Sequence, residues 1–383
     1  MVGAGPAGAL AAYRLARDGA RVSIFDPSHP REKPCGGGVT AKALDLLPPA
    51  PPSDPLPARW VQGCRFESGH GELVDVALPR PVAVASRAEL DAWLLRRATE
   101  AGVVHVVERV VDVDAAGRLR TAAGRDQTFD LVIGADGASS LVRRRLLRPV
   151  PAARLVMALG WYAPGTSQML VRFTPGLPGY LWLFPRPDHV GVGICAPLAA
   201  VPTRDLVSRL EAEVARAFPA LAAPEGARYA HTIPSPSADP ASILEIAGER
   251  FALVGDAAAL ADPITGEGIY YALRSAALLA ETLRTGAGPA AYPRRALEEF
   301  GRDLLKAAAI RGRFYAPGFT RRMVAYARTS AALREVLADL VLGHQGYVGL
   351  KRRLLRTGPR FFWQTARSRL RRRRHSGPAE PRC

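Results

Sequence analysis

The sequence predicts an α/β chain in which a Rossmann-like domain is interleaved with an antiparallel-sheet domain and followed by a helical C-terminus. Three observations carry that prediction. A glycine-rich turn stands between an apolar stub and an Ala/Leu-rich segment at the N-terminus. Two short apolar runs, Asp130–Gly134 and Phe251–Gly255, each end in a glycine. Residues 155–196, between them, are aromatic and β-like, and the chain beyond Gly268 has mostly helical spacing.

The elements follow in order. Met1-Val2 is the stub of a strand and Gly3–Gly8 a turn. Ala9–Asp18 is a helix, closed by Gly19 as a C-cap, and Arg21–Asp26 is a second strand. A buried strand usually has about five residues, and here two precede Gly3. The reading therefore expects about four more apolar residues upstream. Pro48–Pro57 and Pro234–Pro240 read as loops. Glu89–Thr99 reads as a helix, Val103–Val113 as one alternating strand, and Asp205–Phe218 as an amphipathic helix.

With 383 residues the chain has room for two or three domains. Hydrophobic residues are 48% and charged residues 23%, which excludes wholesale disorder. Cys35, Cys64, Cys195 and Cys383 are too scattered for a disulfide framework, and no CxxC pair offers a zinc ribbon. No metal site is expected. No apolar run approaches the roughly 18 residues of a membrane span, and the N-terminus does not read as a signal peptide. The expected location is the cytoplasm. The net charge is +17. Residues 351–383 hold twelve Lys/Arg against Glu380, giving +11 of it.

Gly3-x-Gly5-x-x-Gly8 has a specific job. The first glycine permits the tight turn and the second lets backbone approach a pyrophosphate. The third lets helix and strand pack closely, while the helix N-terminus, at Ala7 and beyond, faces the anion. Asp26, about 20 residues on, is placed to accept from a ribose hydroxyl. Two further motifs follow the later strands. They are Gly134–Arg143, with Asp136-Gly137 at its centre, and Gly255-Asp256, followed by Pro263-Ile264-Thr265-Gly266-Glu267-Gly268-Ile269.

This trio resembles the FAD-dependent oxidoreductases of the aromatic-hydroxylase type. The resemblance implies FAD as cofactor. It places Asp136 and Gly137 by the pyrophosphate, and Gly255 and Asp256 at the ribityl chain. The Pro263–Gly268 turn would start a helix whose N-terminus, at Ile269, points at the flavin ring. Ser86–Asp91 is similar to that family's arginine segment, with Arg87 near the phosphates.

Two more segments, Lys33-Pro34-Cys35-Gly36-Gly37-Gly38 and Tyr180-Leu181-Trp182-Leu183-Phe184-Pro185, resemble the geranylgeranyl reductases, flavoenzymes that saturate isoprenoid double bonds. The resemblance sets Cys35, Gly36 and Gly37 beside the flavin, and Tyr180 and Trp182 in the substrate cavity. The proline that normally stands three residues before the tyrosine is Leu177 here, with Pro178 after it. Gly346–Leu355 is also similar to that family's C-terminal region. Cys35, Tyr180 and Trp182 are the catalytic candidates. Cys35, Tyr180 or an ordered water could supply the proton. No second GxGxxG appears, so the reductant, NAD(P)H or a reduced electron carrier, would visit transiently.

The expected domains are 1–58, 80–153 and 246–298 for FAD binding, and 59–79 and 154–245 for substrate. Residues 299–356 form a helical region and 357–383 a basic tail. The substrate is read as an isoprenoid small molecule. Phe361-Phe362-Trp363 among the tail arginines suits a peripheral contact with the inner membrane face; a nucleic-acid role is disfavoured. The alternative activity is an FAD-dependent monooxygenase of aromatic or polyketide substrates, or a halogenase-like enzyme. A flavin-binding surface protein without turnover is the rival from another class.

Overall fold

The central parallel layer is built around a strand of minimal length. In the computed structural model, which describes residues 1–223, 228–316, 318–344 and 346–354, Val2 bridges Phe25 on one side and Gly134 on the other, both in parallel. It thereby joins two strand pairs into one layer. Val104–Val106 pairs with Ser23–Phe25 on one flank, and Phe251–Leu253 pairs with Val132–Gly134 on the other. The helix Pro6–Arg17 begins inside the expected turn Gly3–Gly8, three residues earlier than the spacing indicates. Proline needs no N–H partner in a first turn, which explains the early start. Gly19, at φ +90°, follows the helix in the left-handed conformation expected of a terminating glycine.

One expected strand divides. Val103–Val113 forms Val104–Val106 in the parallel layer and Val110–Val113 in a separate three-stranded antiparallel sheet with Arg118–Thr121 and Asp126–Thr128. Val107, at the break, is 67% exposed. An alternating β-branched run cannot reveal that its two halves belong to different sheets.

The larger layer is an eight-stranded sheet, which also takes in Gly38–Val39 from the segment expected to bind FAD. Its order is Arg228–Pro234, Leu155–Pro164, His189–Pro197, Tyr180–Pro185, Leu170–Arg172, Arg59–Glu67, Leu73–Val84 and Gly38–Val39. Its pairings are antiparallel except Leu170–Arg172 with Arg59–Glu67, which run parallel. The strand Leu73–Val84 crosses the expected domain junction at 79/80. On one face, Leu181, Leu183 and Val192 pack under Leu206, Leu210 and Val214 of the helix Thr203–Ala217. The other face carries Val156, Ala158, Trp182 and Cys195. Farther along the sheet, Cys64, Phe66 and Val76 pack with Val324, Leu337 and Leu342 from the helices Phe319–Ala327 and Ala331–Leu342. The C-terminal helices and the parallel layer thus enclose the cavity face of this sheet. The basic tail 357–383, with Phe361–Trp363, lies outside the described residues.

Candidate active site

A cavity of about 720 Å³ opens between the two layers. Its polar end is made by the glycine turn, Asp26, Arg87, the Asp136-Gly137 turn and Asp256. Its other end is apolar, walled by Phe66, Trp182, Phe184, Phe314, Met323 and Leu337.

The three glycines of the first turn do different work. At Gly8 a Cβ would lie 2.0 Å from the Gly3 carbonyl oxygen, so that glycine exists for backbone packing and does not line the cavity. Gly3, at φ +98°, abuts Ala135 and Asp136. Gly5 lines the cavity, and a Cβ there would sit in van der Waals contact with His29 Nε2 at 3.7 Å and Arg87 Nη2 at 3.9 Å, with no backbone atom near. Gly137 has nothing within 4 Å. Two backbone stretches bare of side chains, facing a cavity, fit a pyrophosphate. With the helix Pro6–Arg17 behind Gly5 and Arg87 beside it, the residues present fit FAD.

The first acidic residue is held more tightly than the spacing implies. Asp26 Oδ2 accepts from Ala4 N at 2.9 Å and meets His29 Nδ1 at 2.6 Å. Its Oδ1 accepts from Ser28 N, Ser28 Oγ and His29 N. The lone pairs expected to meet a ribose hydroxyl are engaged within the chain. His29 Nε2 lies 3.2 Å from Asp91 Oδ2, and Asp91 takes two bonds from Arg87, at 2.9 and 2.8 Å. The result is a buried relay of charges, Asp26–His29–Asp91–Arg87. Burial works against charge on His29, yet its bonds to Asp26 and Asp91 hold its pKa above the ordinary value. Burial likewise opposes the Asp26 charge, and the His29 and backbone N–H bonds overcome it, so its carboxyl stays below the usual range.

Asp136 lines the cavity, but its carboxylate turns to the helix Leu141–Leu146. It accepts from Ser140 Oγ at 2.5 Å and from the Leu141 and Val142 amides. Asp256 Oδ2 pairs with Lys33 Nζ at 2.9 Å. Burial raises the Asp256 carboxyl and the Lys33 charge lowers it, with the net shift downward. Gly255 and Pro263 do not line the cavity. Gly255, at φ +60°, packs against Ala7 and Ala272, and Pro263 is buried. Gly266, Gly268 and Ile269 do line it, at the start of the helix Ile269–Arg284.

The Cys35 segment meets the aromatic strand directly. Phe184 lies against Gly36 and Gly38, where Cβ atoms would come within 2.7 and 3.1 Å of its ring. Gly37, at φ +83°, turns the segment between them. Gly37 N donates to Cys35 Sγ at 3.3 Å, and the Cys35 carbonyl accepts from Arg186 Nη2 at 2.7 Å. Arg186 is buried and also pairs with Glu32 at 2.8 Å. Tyr180 donates to the Thr265 carbonyl, tying the sheet to the turn before Ile269. Burial pushes its phenol well above 10. Trp182 lies over Gly193, where a Cβ would meet the indole at 2.1 Å. The indole N–H of Trp182 is buried without a partner. Leu177, where the family motif has proline, is buried in the core on the opposite face and does not reach the cavity.

Lys33, His29, Asp91, Arg186 and His231 escaped the sequence reading. Lys33 stands 223 residues from Asp256, and nothing local marks such a pair. Gly191 and Gly193 were more accessible. They alternate on the strand opposite the alternating aromatics, a small-against-large pairing. Among the described residues no cluster of His, Cys, Asp or Glu is placed to hold a metal, and no helix is long and apolar enough to cross a membrane.

The family model described as FAD binding domain matches residues 1–288. The menaquinone reductase of Mycolicibacterium smegmatis is 32% identical over 315 residues, covering 75% of this chain and 76% of that one. The geranylgeranyl diphosphate reductase of Rhodobacter capsulatus is 28% identical over 299 residues, 71% of each. In structure, a geranylgeranyl bacteriochlorophyll reductase-like protein from Thermoplasma acidophilum aligns with TM-score 0.71 at 21% identity, over 88% of this chain and 94% of that one. A flavin-dependent brominase aligns with TM-score 0.72 at 19% identity, over 94% and 98%. At such identities the structural matches show the fold alone. The family match and the reductase relatives show that this chain belongs to the geranylgeranyl reductase family of FAD-dependent oxidoreductases.

Proposed function

We propose that this enzyme saturates carbon–carbon double bonds of an isoprenoid chain. The observation that carries the reading is the continuity of the cavity. Its polar end fits FAD and its apolar end is walled by Trp182, Phe184 and the C-terminal helices. Two relatives are named for a prenyl diphosphate and for menaquinone, a quinone with a polyprenyl tail. Both substrates offer long apolar chains with isolated double bonds.

FAD, bound and reduced, supplies the hydride. Gly3, Gly5, Ala7 and Gly137 would cradle the pyrophosphate, with Arg87 neutralising it. Asp256, freed from Lys33 or sharing it, would meet the ribityl chain. Asp26 would fix His29 and the glycine turn rather than accept from the ribose directly. Gly36, Gly37 and Ile269 would border the flavin ring. Gly8, Gly255 and Pro263 would act by packing behind these residues. An isolated alkene is a poor hydride acceptor, so Trp182 and Phe184 would exclude water and hold the chain close. Tyr180 would anchor the Thr265 turn; its hydroxyl is already committed. Cys35, which lines the cavity before Gly36, would border the ring as well. The reductant would be NAD(P)H or a reduced electron carrier. A peripheral membrane contact through residues 357–383 rests on the arginines and the Phe361–Trp363 cluster of the sequence, and co-sedimentation with anionic vesicles tests it.

The test is direct. The holoenzyme is reduced anaerobically and mixed with geranylgeranyl diphosphate or a menaquinone, and mass spectrometry counts additions of two hydrogens. Oxygen-dependent hydroxylation or halogenation, with no such additions, would overturn the reading.

A further inference from the structure

A second, smaller pocket of about 140 Å³ lies beside the cavity. Glu299 and His344, both exposed, line it, so it reaches the surface. Four residues line both spaces and form the partition between them: Thr265, Glu267, Leu340 and Tyr347. The Tyr347 hydroxyl donates to Asp262 Oδ1 at 3.2 Å, and burial pushes its phenol well above 10. The Thr265 hydroxyl accepts from Glu267 N at 3.2 Å. Glu267 is therefore the one member of the partition that can exchange protons near neutral pH.

Its two carboxylate oxygens are held from opposite sides. Oε1 accepts from Thr40 Oγ1 at 2.8 Å, and Thr40 lines the cavity but not the side pocket. Oε2 pairs with Lys42 Nζ at 3.3 Å, and Lys42 lines the side pocket but not the cavity. The carboxyl thus spans the partition, and its side chain keeps 15% exposure. Gly266 and Gly268, on either side of it, both line the cavity.

We propose that Glu267 is the proton carrier of this enzyme, taking protons from the side pocket and releasing them into the cavity for double-bond saturation; this rests on the reductase reading above. Saturation adds a hydride to one carbon and a proton to its neighbour. The two electrons come with the hydride from reduced FAD. On the cavity side the alkene π pair takes the carboxyl proton and forms the second C–H bond. The O–H bond breaks and a carboxylate remains, held by Thr40 and Lys42. Water entering the side pocket gives it the next proton. The outer torsion of a glutamate is soft and nearly two-fold, so the carboxyl can turn its proton from one side to the other. Burial raises the Glu267 carboxyl and the Asp262 charge adds to that; Lys42 and the Thr40 bond oppose it, and the net shift is upward. A carboxyl moved toward neutrality both takes up and gives up its proton more readily at working pH.

The experiment follows reoxidation of the reduced holoenzyme, without oxygen, by geranylgeranyl diphosphate and by a menaquinone. Glu267→Gln should keep its flavin and bleach like wild type, but the return of the yellow colour should slow about 10²-fold. Glu267→Ala should lose as much and recover with added formate, a small acid, but not with formamide, which has the same shape and no acidic proton. Thr40→Val keeps the carboxyl and removes only its cavity-side bond; it should slow the step about tenfold. Wild-type rates in Glu267→Gln, or a loss in Glu267→Ala that formate does not relieve, would overturn the proposal and leave the reductase reading standing. If Glu267→Gln loses its flavin, Thr40→Val decides, and a wild-type rate there overturns the proposal. Wild-type protein that neither compound reoxidises would overturn both.

Discussion

The ring of Phe184 lies against Gly36, so close that a Cβ at residue 36 would come within 2.7 Å of it. This contact packs the Cys35 segment, which leads into the edge strand Gly38–Val39, against the aromatic strand of the same sheet, and both line the cavity. It explains why glycine and phenylalanine must occur as a pair 148 positions apart (184 − 36).

Gly36→Ala should therefore push the ring or the segment aside. Overpacking of this kind costs about 1–3 kcal/mol. The expected outcome is weaker substrate binding with flavin retained, and recovery when Phe184→Leu is added. A double-mutant cycle should give a coupling of about 0.5–3 kcal/mol. Additive effects in that cycle would show that the contact does not matter in solution.

Gly5 and Gly8 belong to one motif and should fail differently. Gly8→Ala places a Cβ 2.0 Å from the Gly3 carbonyl oxygen, which is backbone and cannot swing away. It should lower the melting temperature of the flavin-free protein as well as abolish flavin binding. Gly5→Val meets only the ends of the His29 and Arg87 side chains and no backbone. It should leave the flavin-free melting temperature close to wild type and still remove the yellow colour. Flavin bound at full stoichiometry in Gly5→Val would refute the cradle.

The fold was legible where a local rule sufficed. The turn Gly3–Gly8, the strand ends at Gly134 and Gly255, and the helical C-terminus needed only spacing. The division of Val103–Val113 between two sheets was not legible, because both halves have the same alternating pattern. Nor was the engagement of Asp26 by Ala4, Ser28 and His29, which the motif's spacing leaves open. The Lys33–Asp256 and Arg186–Glu32 pairs join segments far apart in the chain, and residue type alone is silent on which of them meet. Trp182 was found through a motif, but its reason, the missing Cβ of Gly193, required the register.

The His29 relay should make stability depend on pH. The pKa of His29 is raised in the folded chain above its unfolded value of 6.5. Its stabilisation is fully present below 6.5 and is lost as pH rises through the folded value. Asp26 and Asp91 have lowered values, so their contributions run the other way and vanish in acid. Melting curves of wild type and His29→Gln should differ most in mildly acidic buffer and converge in alkaline buffer. A gap that widens with rising pH would contradict the relay.

The last prediction concerns how much of the substrate chain Trp182 touches. Its side chain is buried at 5% exposure, held over Gly193, and forms one wall of the apolar end. Trp182→Ala removes that wall without touching the glycine turn, Arg87 or Asp256, so flavin should remain bound. Each buried CH₂ of a substrate contributes about 0.8 kcal/mol, so a chain that runs along the indole loses several such contributions. The fall in kcat/KM should therefore grow with each added isoprene unit until the chain outruns the missing wall, and then level off. Gly193→Ala, which displaces the indole from below, should give a milder version of the same length dependence. If short and long substrates suffer equally, Trp182 acts as core packing. The chain would then run along Phe66, farther along the same sheet face, and Met323 of the helix that covers it instead.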